Sequence, residues 1–348
     1  MSVDVERIAD ATSARALAEA ERLAQAGNCL AAVDVLQGAD YDERDPLVDV
    51  RLAELRRDAF AELDRDLTAS RWPPDFEDPF PGETGLVELS KAEATPELVG
   101  GAIQHHGCVL VRGLVAPDVA EHLREMVESA FVALEAHHEG APVADTAPFY
   151  VPLQPHPEFP PSAHNQIEGR ADLRWFRVCT LDSPRPMFEV IDAYEKAGIG
   201  DIVRGWLDAR PVLTGGKWAL RRMPRRKISG WHQEASVFPK VPIRTMNVWL
   251  ALTACGDDSP SLDVVPRRET AIHPVGSTFM MFPDQVDGVI GDAPRVSPRY
   301  DPGDAMLFDE MLIHRTNTQK SMEGVRYSIE SWFFAPSGHP LDLGSIVY

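Results

Sequence analysis

The feature that most constrains the fold is a change of apolar pattern near residue 210. Upstream, apolar residues recur at three- and four-residue spacing, as in Leu30, Val33 and Leu36, which predicts helices. From about residue 213 the chain breaks into short alternating or apolar runs separated by glycine, proline and aspartate, which predicts strands. Helices followed by many short strands indicate an α+β protein whose strands form a sandwich or a barrel.

A proline-rich stretch over residues 72–82, WPPDFEDPFPG, divides the chain. Its four prolines exclude a long helix and predict an exposed connector. We therefore expect a helical N-terminal extension over residues 1–70, a connector over 71–94 and one large domain over 95–348. The extension should pack on the large domain, because a single helical hairpin cannot bury its own apolar face.

Within the large domain, the pattern predicts a helix over residues 95–103, a strand over 108–111 and a helix over 188–207. Residues 141–161 are rich in proline and aromatic residues and have no period, which indicates a long loop. Long loops often lie over functional sites. Residues 141–165 are therefore the candidate cover of a site.

Charge and composition exclude several classes of partner. A formal net charge of −20 repels nucleic acids and anionic membranes over most of the surface, and no segment approaches a membrane span in length. The acidic N-terminus lacks the layout of a secretory signal, which predicts a cytoplasmic protein. The four scattered cysteines, Cys29, Cys108, Cys179 and Cys255, are expected to be reduced, buried thiols.

Two basic segments are local exceptions to the negative charge. Residues 221–227 contain five cations in seven positions, just before the segment GWHQE. They either lie at the mouth of a site, where they would attract an anionic substrate, or form a solvated turn. Arg174 and Arg177 allow the same two interpretations.

Three segments of the strand-rich half, GWHQE, FDEMLIH and RYS, carry residues typical of a metal site. On a strand, residues two apart face the same way about 6.6–6.8 Å apart, so His232 and Glu234 could reach one ion. The remote His314 completes a set of three ligands. Arg326 and Ser328, which would share a face of the following strand, form a candidate carboxylate clamp.

Two neutral imidazoles and one carboxylate leave three positions of an octahedron open, which is the arrangement of non-haem iron(II) oxygenases. 2-Oxoglutarate would take two of these positions through its keto oxygen and the adjacent carboxylate, and dioxygen would take the third. The distal carboxylate of 2-oxoglutarate then needs a cation. Arg326, with Ser328 as a further donor, supplies it.

In these segments and their order, residues 95–336 resemble the phytanoyl-CoA dioxygenase-like family of Fe(II)- and 2-oxoglutarate-dependent oxygenases. The matching segments are TPELVGGAIQHHGCVLVRGLV, WHQEA, TMNVWLAL, SLDVVPRR, PGDAMLFDEMLIHRTN and RYSIESWFF. The resemblance implies a double-stranded β-helix, a cupin-like jelly roll, with flanking helices. It places His232 and Glu234 on the second strand, His314 on the seventh and Arg326 on the eighth.

The resemblance also implies the chemistry: Fe(II) with 2-oxoglutarate as co-substrate, and hydroxylation of a small-molecule or carrier- or CoA-linked substrate with release of succinate and carbon dioxide. The chain departs from the family in having His-x-Glu where the family usually has His-x-Asp, a side chain longer by about 1.5 Å. A carboxylate at this position argues against a halogenase. A second His-x-Glu, at His156 and Glu158, lies in the predicted loop, where no strand would present both side chains to one point.

Two other functions fit parts of the sequence. A cupin-type metalloenzyme independent of 2-oxoglutarate would not need Arg326. A non-catalytic metal-binding β-helix protein, with the helical extension as a partner-binding module, would lack ligands, and none is missing. Asn247 and Trp249 either face the cofactor or belong to the core. Neither the identity of the substrate nor the oligomeric state follows from the sequence.

Overall fold

The structure, a computed structural model, is described here for most of the chain. The described residues are 11–39, 44–66, 72–159, 176–224, 230–237, 243–273, 275, 280–340 and 344–348. Helices dominate the first half and strands the second, so the predicted α+β class is confirmed. Of the residues singled out from the sequence, Arg174, the end of the candidate cover at 160–165, and the basic positions 225–227 lie outside the described residues.

The helices of the described chain begin and end at recognisable signals. Thr95 caps one of them by accepting a hydrogen bond from the Leu98 amide at 3.3 Å, and Gly107, with φ of +85°, ends it. The helix predicted over 188–207 is divided in two by Gly198, which also has φ of +85°. The helices are α1 (Ala11–Gln25), α2 (Cys29–Gly38), α3 (Pro46–Asp58), α4 (Pro96–His106), α5 (Pro117–His138), α6 (Val143–Thr146), α7 (Pro184–Ala197), α8 (Ile199–Leu207) and α9 (Pro283–Ile290).

The strands form one large and one small sheet. They are β1 (Val87–Ser90), β2 (Cys108–Arg112), β3 (Arg177–Cys179), β4 (Val212–Met223), β5 (Thr245–Ala251), β6 (Ser261–Val264), β7 (Ala305–Phe308), β8 (His314–Asn317), β9 (Arg326–Phe334) and β10 (Ser345–Val347). The large sheet has the order β1-β2-β7-β5-β9-β4-β10, with β3 also paired to β4, and the small sheet pairs β6 with β8. Apart from the parallel β1-β2 pair, the paired strands are antiparallel.

Alternation along the strands divides the core into two layers. On β5 and β9, Val248 and Ile329 belong to the apolar cluster that contains α5, α7 and α8. Trp249, Phe308 and Trp332 point the other way and pack with residues of the small sheet in a second cluster. The large sheet therefore has helices on one face and the small sheet on the other, as the predicted double-stranded β-helix requires.

The N-terminal helices pack on the end of the large sheet where β4 begins and β9 ends. Leu17, Val48 and Phe60 share an apolar cluster with Val212 and Phe334. The predicted extension therefore contacts the main domain along an apolar surface. The predicted division of the chain at residues 70 and 94 stays a proposal, and the connector contains β1, which is the edge strand of the large sheet.

Among the described helices, none is long and apolar enough to cross a membrane.

Candidate metal and co-substrate site

A cavity of about 390 Å³ opens between the two sheets. His232, Glu234, His314 and Arg326 all line it. They come from separate parts of the chain: His314 and Arg326 begin β8 and β9, and His232 and Glu234 lie in the connection between β4 and β5. The residues predicted from the sequence to bind the metal and anchor the co-substrate therefore face one space.

His232 and His314 are neighbours through their backbones. The amide of each donates to the carbonyl of the other at 3.0 Å, which forms an isolated antiparallel bridge. Their ring centroids lie 4.3 Å apart. The position of one imidazole relative to the other is therefore set by strand pairing.

The hydrogen bonds of the two rings determine which nitrogen is available. His232 Nδ1 lies 3.1 Å from the Gly230 carbonyl, and His314 Nδ1 lies 3.1 Å from the Leu312 carbonyl. A carbonyl only accepts, so each Nδ1 donates and each Nε2 keeps a lone pair. Burial lowers the pKa of His314 to about 4, which keeps it neutral. Metal-binding histidines commonly have this arrangement.

Glu234 does not lie on a strand, and the predicted strand geometry of His232 and Glu234 is wrong. Glu234 begins a 3-10 helix over Glu234–Val237. The Gln233 side chain, which donates to the Met311 carbonyl at 2.8 Å and accepts from the His273 amide at 2.9 Å, ties down the turn between the two residues. Local hydrogen bonding, rather than strand alternation, sets the direction of Glu234.

Lys217 holds Glu234. Its Nζ donates to both carboxylate oxygens, at 2.7 and 2.6 Å. Burial raises the pKa of Glu234, but the Lys217 ammonium outweighs burial, so the pKa lies below its usual range. Glu234 is therefore ionised and has a protein cation as its partner.

The types of donor fit iron(II), but Glu234, the third donor, is not yet positioned to bind a metal together with the two histidines. Two neutral imidazoles and one carboxylate are the ligands that non-haem iron(II) prefers. Within the described part of the chain, however, no three His, Cys, Asp or Glu side chains are already grouped to hold a metal ion. The histidine pair is in place, and Glu234 would have to turn away from Lys217 to join it.

Arg326 lies at another part of the cavity wall and is 2% exposed. Its guanidinium carbon lies 5.1 Å from the centre of the Trp249 ring, and its Nη1 is 3.5 Å from the Ser261 carbonyl. Arg326 Nε, Ser328 Oγ and Asn247 Oδ1 are buried and have no hydrogen-bond partner among the described residues. Burial lowers the pKa of Arg326 to about 10. Such groups are costly unless a ligand satisfies them.

Sequence analysis missed Lys217 and Glu330, although both could have been found. Glu330 accepts hydrogen bonds from Arg221 Nε at 2.9 Å and from Trp332 Nε1 at 3.0 Å, and it lines the cavity. Glu330 lies two and four residues after Ser328 and Arg326, and so shares their face of β9. Side chains also alternate along β4, where Lys217 faces the cavity and the next residue, the buried Trp218, faces the other way.

Of the other residues singled out from the sequence, some line the cavity and others do not. Loop residues 141–159 do not line the cavity, so the described part of the candidate cover is not over the site. His156 instead packs against Phe159, 5.2 Å between ring centroids. Trp231 belongs to a small apolar cluster, as expected for a packing role. Asn247 and Trp249 both line the cavity, and Trp249 is also part of the core.

Solved structures that are similar to the chain were found at low identity. EctD from S. alaskensis with 2-oxoglutarate and 5-hydroxyectoine is 14% identical, with a TM-score of 0.49, over 79% of this chain and 87% of that one. AviO1 from Streptomyces viridochromogenes Tue57 is 18% identical, with a TM-score of 0.45, over 70% and 96%. SnoK, a non-haem α-ketoglutarate-dependent carbocyclase from nogalamycin biosynthesis, is 13% identical, with a TM-score of 0.45, over 70% and 86%.

These likenesses are too weak to support an argument about activity. No curated protein sequence matches the chain significantly. The family model described as Phytanoyl-CoA dioxygenase matches residues 103–326, which is more than half of the 348-residue chain. The match includes the histidine pair, Glu234 and Arg326. The chain therefore belongs to the phytanoyl-CoA dioxygenase family, as the sequence motifs predict.

Proposed function

We propose that the protein is an Fe(II)- and 2-oxoglutarate-dependent dioxygenase, which hydroxylates a small-molecule or carrier- or CoA-linked substrate and releases succinate and carbon dioxide. One observation supports this most strongly. Arg326 is buried in the cavity that also holds the histidine pair, and no acidic side chain of the described residues forms an ion pair with it. A buried guanidinium of this kind calls for an anionic ligand.

The metal would be held by His232, His314 and Glu234. Bound Fe(II) supplies the site with oxygen activation, coupled to oxidative decarboxylation of 2-oxoglutarate. The protein contributes the fixed spacing of the two imidazoles and, through burial of His314, the neutral state of that ring. Because each Nδ1 is held by a backbone carbonyl, the ring orientations are set before any ligand arrives.

The distal carboxylate of 2-oxoglutarate would be held by Arg326, with Ser328 as an additional donor. A guanidinium makes paired, charge-assisted hydrogen bonds to a carboxylate, each stronger than a neutral bond. The buried Arg326 Nε and Ser328 Oγ without partners are suited to this role. This clamp favours the 2-oxoglutarate mechanism over a cupin-type enzyme that needs no such anchor.

Lys217 would leave Glu234 when the metal is bound. Its ammonium is the partner of both Glu234 oxygens, and Glu234 is not grouped with the two histidines among the described residues, so the carboxylate would move from Lys217 toward the histidines to complete the metal site. We propose that Lys217 stabilises the buried Glu234 charge while the metal is absent. Its removal should therefore strengthen metal binding.

The test is anaerobic addition of Fe(II) and 2-oxoglutarate to the purified protein, with the visible charge-transfer band of a chelated complex as the readout. We expect a band in the wild type and its loss in His314→Ala and Arg326→Ala. His156→Ala, which removes the histidine of the second His-x-Glu, is the matched control and should keep the band. Absence of a band in the wild type, together with no iron bound, would refute the proposed function.

A further inference from the structure

Arginines occupy three adjacent strands along the wall of the cavity. Arg177 on β3 pairs directly with Arg221 on β4, and Arg221 pairs on its other side with Ser328 on β9. Arg326 lies two residues before Ser328 and faces the same way. All three arginines line the cavity.

The pairing of Arg177 with Arg221 is destabilising in itself. Like charges directly opposite each other on neighbouring strands are destabilising. Arg221 is partly compensated by Glu330, because its Nε and Nη2 both donate to the same oxygen of that carboxylate. The second oxygen of Glu330 accepts from Trp332 Nε1 at 3.0 Å.

The cavity as a whole is positive, although the protein is strongly acidic. Its described lining contains four permanent cations, Lys217, Arg177, Arg221 and Arg326, and two carboxylates, Glu234 and Glu330. The difference is two positive charges, in a protein of formal net charge −20. Arg326 is assigned to the co-substrate above. Arg177 and Arg221, which also line the cavity, have no part in that assignment.

Apolar side chains adjoin this pair. Phe176 directly precedes Arg177, Met223 and Pro224 follow Arg221, and Met280 completes this part of the lining. A cavity of about 390 Å³ is at the small end of ligand-binding cavities. The surroundings are therefore suited to a compact apolar group that carries an anion.

We propose that Arg177 and Arg221 form the substrate's oxyanion site, which binds the carboxylate or phosphate of a small amphiphilic substrate. The proposal rests on the proposed function and names its substrate class. The two guanidinium groups hold the oxyanion at the wall formed by β3 and β4, while Arg326 holds the co-substrate on β9. The apolar body of the substrate lies against Phe176, Met223 and Met280.

The test measures binding of 3-phenylpropionate by isothermal titration calorimetry, to protein that holds Mn(II) and saturating 2-oxoglutarate. The neutral isostere 3-phenylpropionamide is titrated in parallel, and phenyl phosphate replaces the carboxylate in a third series. We expect the tighter of the two anions to bind at least tenfold more tightly than the amide. The preferred anion identifies the oxyanion as a carboxylate or a phosphate.

Variants of Arg177 and Arg221 test whether these two residues bind the anion. Arg177→Gln should weaken anion binding at least tenfold. Arg221→Lys, which keeps a cation beside Glu330, should weaken it severalfold. Arg222→Gln is the matched control, because Arg222 is the next residue on β4 but donates to Glu128 and Glu135 on the opposite face, at 2.9 and 2.7 Å. It should bind the anion within twofold of the wild type.

The same titration on metal-free Arg326→Met protein separates this proposal from the proposed function. Anion binding that survives there, and is lost when Arg177→Gln is added, supports the oxyanion site even if iron and 2-oxoglutarate fail to bind. Three results overturn the proposal: equal affinity for acid and amide, wild-type affinity in both Arg177→Gln and Arg221→Lys, or no binding of either anion.

Discussion

Two arginines of this protein are equally buried and do different things. Arg56 on α3 and Arg326 on β9 are each 2% exposed, and burial lowers the pKa of each to about 10. Arg56 donates to the Val347 carbonyl at 2.7 Å and to Gln37 at 2.9 Å, and so joins the N-terminal helices to the last strand. Arg326 has one long contact, at 3.5 Å, and a buried Nε without a partner among the described residues.

The difference shows that burial alone does not separate a structural cation from a ligand-binding one. What separates them is whether the protein satisfies the donors of the buried group. Arg56, at the end of the barrel covered by α1–α3, has protein acceptors for its guanidinium, whereas Arg326, at the cavity, has a buried donor without one among the described residues. Four predictions follow this contrast, given in order of the size of the expected effect.

Arg56→Met should lower the free energy of unfolding by about 3 kcal/mol, because it removes two hydrogen bonds from a charged donor and leaves two buried acceptors without one. Chemical denaturation measures this loss. The affinity for 2-oxoglutarate of the remaining folded protein should equal that of the wild type. A change in 2-oxoglutarate affinity as large as the change in stability would remove the contrast between the two arginines.

Arg326→Met should have the opposite profile. It should weaken binding of 2-oxoglutarate about 100-fold, since two charge-assisted hydrogen bonds are lost. The free energy of unfolding of the ligand-free protein should fall by no more than about 1 kcal/mol, because no well-formed ion pair is broken. Calorimetry and chemical denaturation on the same preparation give both values. A large loss of stability with unchanged binding would contradict the clamp.

His339, which lies at the end covered by the N-terminal helices, should make the protein less stable as the pH is lowered. Burial lowers the pKa of His339 to about 3, and its ring lies against Phe60 and Phe334. Since the unfolded chain binds a proton at this residue near pH 6.5 and the folded chain does not, the contribution of His339 to the free energy of unfolding should fall by about 2 kcal/mol between pH 7 and 5. His339→Gln should flatten this dependence in denaturation experiments at the two pH values.

Lys217→Met should strengthen metal binding about tenfold, which is the smallest of the four effects in free energy. The substitution leaves Glu234 buried without its ammonium partner and removes the competitor for its oxygens. Titration with Mn(II) or Co(II) measures the change, and Arg222→Gln serves as the control on the same strand. Weaker metal binding in Lys217→Met would instead mean that Lys217 orients Glu234 for the metal.

Much of the fold and of the candidate site follows from the sequence. The apolar period predicted the helices and the strand-rich half, and the order of GWHQE, FDEMLIH and RYS predicted that His232, Glu234, His314 and Arg326 share a site. These predictions depend on local spacing and on residue chemistry, which are visible in one sequence.

The rest depends on contacts between distant residues. The turn at Glu234 is stabilised by Gln233 through Met311 and His273, which come 78 and 40 positions later. The pairing of Lys217 with Glu234 depends on where β4 places its inner face. Single-sequence patterns do not report such contacts, because strand register is fixed by the whole sheet.

The backbone bridge between His232 and His314 has a consequence for how such a chain can be altered. Because reciprocal amide hydrogen bonds align the two histidines, the intervening length of polypeptide is not what sets their separation. Insertions or deletions in exposed turns between β6 and β7 that keep the His273–Gln233 and Met281–Trp231 hydrogen bonds should therefore be tolerated without displacing either imidazole. Those turns offer positions for grafting new segments near the cavity while the paired histidines are kept as an intact unit.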